Sequence, residues 1–256
     1  QTAGNDKPCP RESLRCCSTL YNTMKHMQRL FLVELFAGSH SVSRCVRRRF
    51  GESFDVRVLS VDCDPVSNPT ILADINAWRY KRDIDDFLDQ RRANDIVACL
   101  SSPPCTAFSR ANTTGVRDIR GGSRNVKAGL RIMRYCKPNF WFQENPVGLL
   151  KGQPFTARFG KYINTCFYCM YGRPFKKPTN IWSNVPQLGL RMCDRDTPCH
   201  SKRKFGRYLV TAQIGASANG YVGSGGARQV YPIPSRLVYH RFDRGIRAVA
   251  QDGRSQ

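Results

Sequence analysis

Apolar and polar positions follow two alternating patterns along the first two thirds of the chain. Short apolar runs of strand length are separated by segments in which apolar residues recur with helical spacing. The predicted strands are 30–36, 55–62, a short one ending within 73–78, 94–100 and 139–144, and the predicted helices are 40–50, 82–90 and 125–136. This alternation is typical of an α/β fold built on a parallel sheet. In such sheets, ligands bind at the carboxyl ends of the strands.

The pattern changes after residue 150. Strands are predicted at 166–172 and 179–185, on either side of the basic segment 172–178, and residues 186–228 are irregular, Gly-rich and basic. We therefore predict one large core with a small lobe. The predicted units are an N-terminal extension (1–28), a core (29–185), a lobe (186–228) and a C-terminal segment that returns to the core (229–256).

The charge of the chain indicates a polyanionic partner. Lys and Arg number 41 against 19 acidic residues, which gives a formal net charge of +22. Nucleic acid is favoured over an anionic membrane, because no basic amphipathic helix stands out. The excess is concentrated between Arg110 and Lys137, where Asp118 is the single acid. This placement favours a loop that contacts phosphates.

Neither membrane insertion nor a disulfide framework fits the sequence. No apolar run approaches the ~20 residues that a membrane helix needs, and the first 28 residues are too polar for a secretory signal. The 12 cysteines are spread along the chain and several fall within predicted strands. We therefore expect a reducing intracellular compartment.

Two segments at predicted strand ends carry the candidate chemistry. The run 96–100 leads into SSPPCTAFSR (101–110), where adjacent prolines restrict the backbone before Cys105. A thiol beside a core strand is by itself usually a packing residue. A second segment, WFQENPV (141–147), adds Glu144 at the end of another strand. A nucleophile and a carboxylate placed in this way suit covalent chemistry on a ring that must also be protonated.

A turn rich in small residues precedes these segments. In VELFAGSHS (33–41), Gly38 lets the backbone approach a ligand, and the following helix offers N–H groups. Asp62 ends the second strand, where an acid can accept hydrogen bonds from ribose hydroxyls. Asp74 follows the third strand, where it can meet an adenine amino group. Either aspartate alone is typical of a turn or cap, so their order after the glycine turn carries the interpretation.

Together these segments resemble the DNA cytosine-5 methyltransferase family. The matching segments are FAGS (36–39), Asp62, Asp74, SPPCTAFS (102–109) and ENP (144–146), and YGRPFKKPTNIWSN (171–184) looks most like the short phage and virus-type members. The resemblance spans about 30–185 and, more weakly, 228–242. The sequence departs from the family at His40, which replaces a glycine, at Pro146, which replaces a valine, and in the unmatched region after 185. The resemblance implies a Rossmann-like class I S-adenosylmethionine-dependent methyltransferase sheet with a small target-recognition lobe.

The resemblance also implies a reaction, namely methyl transfer from S-adenosylmethionine to carbon 5 of cytosine in DNA. Cys105 would add to carbon 6 of a flipped-out base, with its pKa lowered by surrounding positive charge, while Glu144 holds the base and Asn145 fixes the local backbone. The implied cofactor-binding residues are Phe36, Ala37, Gly38, Ser39, Asp62, Cys63, Asp74, Ile75 and Pro104. The implied base or nucleic-acid contacts are Arg110, Arg117, Arg120, Arg124, Lys176, Lys177 and Thr179. Residues 110–124 would form a loop that closes over DNA.

Other functions compatible with these residues stay open. A tRNA or other RNA cytosine-5 methyltransferase would use the same chemistry, and the net charge fits either polymer. A catalytically inactive relative that only binds nucleic acid is a third hypothesis. An amino-methylating enzyme is disfavoured, because its motif needs an aromatic ring where this chain has Cys105.

Cysteines in the second half of the chain raise the question of a structural zinc ion. Cys166 and Cys169 have a C-x2-C spacing, and Cys193, Cys199 and His200 follow. Four of these could hold zinc. However, residues three apart in a strand point to opposite faces, so two core cysteines and two loop cysteines are an equally good interpretation.

Overall fold

The computed structural model describes residues 27–110, 116–158, 162–173, 175–193, 210–211 and 233–252. The strands are β1 (Arg29–Leu35), β2 (Asp55–Asp62), β3 (Ile71–Leu72), β4 (Ile96–Ser101), β5 (Phe140–Pro146), β6 (Tyr162–Phe167), β7 (Phe175–Lys176), β8 (Pro178–Ser183) and β9 (Val210–Thr211). The helices are α1 (Ser41–Phe50), α2 (Lys81–Leu88), α3 (Ile119–Cys136) and α4 (Ser235–Asp252). Short 3-10 turns lie at Pro65–Ser67, Leu149–Gly152, Pro154–Arg158 and Tyr168–Tyr171.

Seven strands form one mixed sheet in the order β3-β2-β1-β4-β5-β8-β6. The first five run parallel, and β8 is antiparallel to both β5 and β6. Strands β7 and β9 form a separate parallel pair. The α/β sheet predicted from the sequence is confirmed. Its parallel part places the carboxyl ends of β1, β2, β4 and β5 along one edge.

Helices cover both faces of the sheet, and alternation along the strands decides which side chains face which helices. On β1, Leu30 and Leu32 pack in the cluster that contains α1 and α4, whereas Val33 and Leu35 pack in the cluster that contains α2 and α3. Strands buried on both faces read as continuous apolar runs, as the sequence of β1 does.

Helix α3 begins six residues earlier than predicted. Asp118 caps it, since its Oδ1 accepts a hydrogen bond from the Gly121 N–H at 2.7 Å. The prediction that residues 110–124 form one loop is therefore wrong for 119–124. Arg120 and Arg124 lie on the first turns of the helix instead.

Three other predicted boundaries also differ. The third strand consists of Ile71–Leu72 alone, and the chain then turns, because the Asp74 carbonyl accepts the N–H groups of Ala77 and Trp78. The predicted strand 166–172 is wrong beyond Phe167, where a 3-10 turn follows. The returning segment 229–242 contains the start of α4.

The predicted extension and most of the predicted lobe fall on residues outside the described ranges, so these two units stay predictions. Within the ranges that the structure describes, no helix has the length and apolar character needed to cross a membrane.

Candidate active site

Cys105 lies in a tight turn just beyond the carboxyl end of β4. Cys105 is half-buried. Its backbone carbonyl accepts hydrogen bonds from the N–H groups of Phe108 at 3.0 Å and Ser109 at 2.8 Å. The turn lies next to the end of β1, because the Ser102 hydroxyl donates to the Phe36 carbonyl at 3.3 Å. The candidate nucleophile and the candidate cofactor turn are thus neighbours at one sheet edge.

The Cys105 turn is also tied to the segment after β5. The Asn145 amide donates to the Pro103 carbonyl at 3.3 Å, and the Leu149 N–H donates to the Phe108 carbonyl at 2.9 Å. Gly148 permits this approach, since a Cβ atom there would lie 2.2 Å from the Phe108 oxygen. The Asn145 side chain thus ties β5 to the backbone of the Cys105 turn.

Glu144 is buried at the end of β5, with 5% of its surface exposed, and it has two partners. The Tyr168 hydroxyl donates to Glu144 Oε1 at 2.9 Å, and Lys177 Nζ lies 3.4 Å from the same oxygen. The antiparallel pairing of β5 with β8, which sets Pro146 opposite Thr179, brings the basic segment to this edge. Burying the carboxylate is acceptable because it is both paired and hydrogen-bonded.

Cys105, Glu144 and Lys177 act on one another electrostatically. Burial raises the pKa of the Cys105 thiol, Lys177 opposes that shift, and Glu144 adds to it. The expectation that positive charge lowers the pKa of Cys105 below its usual value is therefore wrong, because desolvation of the thiolate outweighs the nearby ammonium group. The cationic effect exists, but it is the smaller one.

The side chain of Asp62 fixes the backbone of the turn after β1 by hydrogen bonds. Gly38 has φ 48°, in the left-handed region that favours glycine. Asp62 Oδ2 accepts the Gly38 N–H at 2.9 Å, and its Oδ1 accepts the Asp64 N–H at 2.9 Å. Asp62 thus links the ends of β1 and β2, and each oxygen keeps a second lone pair for a hydroxyl donor.

His40, where the resembled family has a glycine, also has a left-handed backbone, with φ 53°. Its ring Nε2 donates to the Ser67 carbonyl at 2.6 Å, which ties the turn to the 3-10 turn after β2. This side-chain bond offsets part of the conformational cost that a non-glycine residue bears there.

The other predicted cofactor residues surround this edge with differing exposure. Asp74 is exposed, and its Oδ1 accepts the Asn76 N–H at 2.9 Å. Ala37 and Ile75 are buried, Phe36 and Ser39 are half-buried, and Cys63 and Pro104 are exposed. A cavity of ≈ 340 Å³ lies between Asn76, Pro104, Thr106 and the first turns of α3.

The predicted nucleic-acid contacts fall into two groups. Arg110, Arg120 and Arg124 are exposed, and their role as contacts stays a prediction. The others have internal roles. Arg117 Nη1 donates to the Ser109 carbonyl at 2.6 Å, Lys176 Nζ lies 4.5 Å from the centroid of the Phe167 ring, and Thr179 is fully buried with its hydroxyl donating to the Lys177 carbonyl.

The zinc prediction gains no support from the described part of the chain. There, no three His, Cys, Asp or Glu side chains are grouped so that they could hold a metal ion. Cys169 and Cys193 pack in one buried cluster, and burial raises the pKa of the Cys166 thiol to about 12. Cys199 and His200 lie outside the described residues.

Three residues of the site region were missed by the sequence analysis. Tyr168 donates to Glu144, and the fully buried Arg241 of α4 lies behind the same strand, 5.4 Å from the centroid of the Phe142 ring. Glu34 is buried on β1, and its Oε2 accepts the Ser43 N–H at the start of α1. Burial raises the pKa of Glu34. For Tyr168 and Arg241 no sequence signal exists, whereas a lone acid within the apolar run of β1 is visible in the sequence.

Comparisons with known proteins find matches among solved structures alone. A scan against protein-family models finds no match, and a search of curated proteins finds none either. One similar solved structure is described as a DNA modification methyltransferase encoded within a prophage (E. coli), at 19% identity and TM-score 0.44, covering 60% of this chain and 46% of that one. Another is a mutant of Spodoptera frugiperda DNMT2, at 16% identity and TM-score 0.40, covering 64% of this chain and 53% of that one. The chain spans about half the length of both.

Proposed function

We propose that this protein transfers a methyl group from S-adenosylmethionine to carbon 5 of cytosine in DNA. One observation carries the proposal: a thiol, a buried carboxylate and an ammonium group, from Cys105, Glu144 and Lys177, meet at one sheet edge and influence one another. Three segments far apart in sequence supply them.

The residues divide the chemistry between them. Cys105 Sγ, once it has lost its proton, would form a bond to carbon 6 of the ring, so that the 5,6 double bond supplies the electron pair with which carbon 5 attacks the methyl group. The methyl–sulfonium bond would break, and its electron pair would stay on the sulfur of the leaving thioether. Glu144 would accept a hydrogen bond from the exocyclic amine and share a proton with ring nitrogen 3 as negative charge develops on the ring, using Oε2, because Oε1 already accepts from Tyr168 and Lys177. After transfer, the carbon 5 proton leaves to a base and the bond to sulfur breaks, which restores the ring and the thiol.

Because the pKa of Cys105 is raised, its thiol must lose a proton before Sγ can add to carbon 6. At neutral pH the thiol of the unliganded protein is protonated, so it must lose its proton when substrate and cofactor are in place. Lys177 stabilises the resulting thiolate, and its ammonium group can also reach the carbonyl oxygen of a base held by Glu144. A base inside a stacked duplex could not meet these groups, so it must be flipped out.

The residues at the ends of β1 and β2 fit the cofactor. Gly38 leaves room for close approach, and Asp62 keeps acceptor capacity for ribose hydroxyls. When bound, S-adenosylmethionine supplies an electrophilic methyl group on a positively charged sulfur. Asp74 stays exposed beside the cavity, where its remaining oxygen can accept from an adenine amino group.

Replacing Cys105 tests the proposal directly. We expect Cys105→Ala to abolish transfer of a tritiated methyl group to DNA while cofactor affinity, measured by calorimetry, stays unchanged. Asp62→Asn should instead weaken the cofactor about 10-fold or more, since it removes a charged acceptor and disturbs the Gly38 turn.

The same assay separates the alternatives. If the label is transferred to tRNA and not to DNA, the substrate is RNA and the proposed DNA substrate is wrong. Cofactor binding without transfer to either polymer would indicate an inactive nucleic-acid-binding protein. Cys105→Ser activity close to wild type would contradict the thiolate mechanism.

A further inference from the structure

The exposed face of α3 is entirely basic. Every residue of this helix that is fully exposed is an arginine or a lysine. We name these five residues the α3 stripe: Arg120, Arg124, Lys127, Arg131 and Arg134. They are spaced by four, three, four and three residues, which places them in one row along the helix.

Nothing within the described protein neutralises the α3 stripe. No stripe residue forms an ion pair with a described acid, and Lys127 lies over the Phe155 ring, 4.8 Å from its centroid. The acid nearest in sequence, Asp118, is used as the helix cap. Like charges three and four residues apart destabilise a helix, whereas an ordinary solvated face mixes acids with bases. The row of like charges therefore lowers the stability of the helix. A bound polyanion would neutralise these charges, which would explain why they are grouped.

The length and position of the α3 stripe match a nucleic-acid backbone. At 1.5 Å per residue the row is about 21 Å long, and one strand of a duplex presents about six phosphates over that length. Its first part adjoins the candidate active site, since Arg124 lines the cavity together with Pro104 and Thr106, on either side of Cys105. From there it follows α3 away from that edge, along the face opposite α1 and α4.

We propose that the α3 stripe binds the phosphate backbone of the nucleic acid whose base enters the Cys105 site, outside the catalytic cavity. The proposal deepens the proposed function and rests on it for the link between this surface and that site. The shared chemistry is the phosphodiester backbone, which DNA and RNA both carry. Such contacts give affinity and orientation without reading sequence.

The test compares two double variants with the same loss of charge. Arg131→Gln with Arg134→Gln removes the far end of the α3 stripe, and Arg47→Gln with Arg48→Gln removes two exposed arginines of α1 on the other face. Binding to duplex DNA, duplex RNA and phosphatidylserine vesicles is measured without cofactor over a range of salt concentrations. Far-ultraviolet circular dichroism confirms that both variants are folded.

The stripe variant should lose about 10-fold or more in affinity for a duplex at about 0.1 M salt. Its log–log salt slope should fall by about two, since each phosphate contact contributes about 0.9. The α1 variant should change less than about twofold. The duplex for which the stripe variant loses affinity, DNA or RNA, is the nucleic acid that the α3 stripe binds.

Equal losses in the two variants would show an effect of net charge alone and would overturn the proposal. So would unchanged duplex binding, or a loss confined to the anionic vesicles. Since no methyl transfer is measured, an inactive Cys105 site would leave this result intact, and failure of the α3 stripe would leave the Cys105 experiment intact.

Discussion

Cys105 is a thiol on which burial and two charged neighbours act in different directions. Desolvation and Glu144 raise its pKa, and Lys177 lowers it. Because the two charged effects have opposite sign, the reactivity of Cys105 reports whether those side chains lie beside it in solution.

We predict that alkylation of Cys105 by iodoacetamide accelerates with pH to above 9, the ordinary cysteine value. Lys177→Met removes the effect that lowers the pKa, so its profile should move to higher pH. Glu144→Gln removes an effect that raises the pKa, so its profile should move to lower pH. Rates are followed by mass spectrometry of the Cys105 peptide. Profiles that coincide in all three proteins would show that the side chains are not close.

Sequence motifs identified Cys105 and Glu144 as candidates but could not separate Lys176 from Lys177. Which of two adjacent lysines faces the site depends on where the chain turns into β8, and that is set by pairing with β5. Tyr168 was missed for a similar reason. Its contact with Glu144 spans 24 residues and follows from tertiary packing alone.

At the scale of elements, the four long parallel strands and most helices of the core were predicted well because each is a buried run or an amphipathic helix. The early start of α3 was missed because its first turn contains Gly121 and Gly122, which are poor helix formers. The Asp118 cap outweighs that low propensity. The turn after Phe167 could not be predicted either, since its apolar sequence suits a strand equally well.

The contact between the Cys105 turn and the segment after β5 yields a prediction at this scale. Gly148→Ala would place a methyl group 2.2 Å from the Phe108 carbonyl oxygen and push the two segments apart. We expect a loss of about 1–3 kcal/mol in unfolding free energy, measured with urea, together with reduced methyl transfer.

Gly152→Ala is the matched control, since an added Cβ at that position meets nothing within 4 Å. Equal stability of the two alanine variants would contradict the close approach described at Gly148.

In the described part of the molecule, charge lies mainly on the surface, and the buried charged residues are Glu34, Asp95, Glu144 and Arg241. Arg241 is fully buried between α4 and the sheet, and its guanidinium nitrogens have no hydrogen-bond partner among the described residues. Burial lowers the pKa of Arg241. A buried charge without a hydrogen bond is costly, and although Glu144 favours the charged guanidinium, burial outweighs that effect, so this position reduces the stability of the fold.

We predict that Arg241→Met raises the unfolding free energy by about 1 kcal/mol or more, because a flexible apolar side chain of similar length replaces the buried cation. Thermal unfolding followed by circular dichroism measures the change, and Arg244→Met, at an exposed position of α4, is the control. A less stable Arg241→Met protein would show that the guanidinium supports the core.

The packing of α4 against α1 has a consequence for biosynthesis. The Cys45 thiol contacts the Ser235 carbonyl across 190 residues, so this face of the sheet is covered by α1 but not by α4 until residues 235–252 have left the ribosome. During that interval the apolar side chains of β1, β4 and β5 are exposed to other nascent chains. A folding helper that shields this face during translation would therefore increase the yield of native protein.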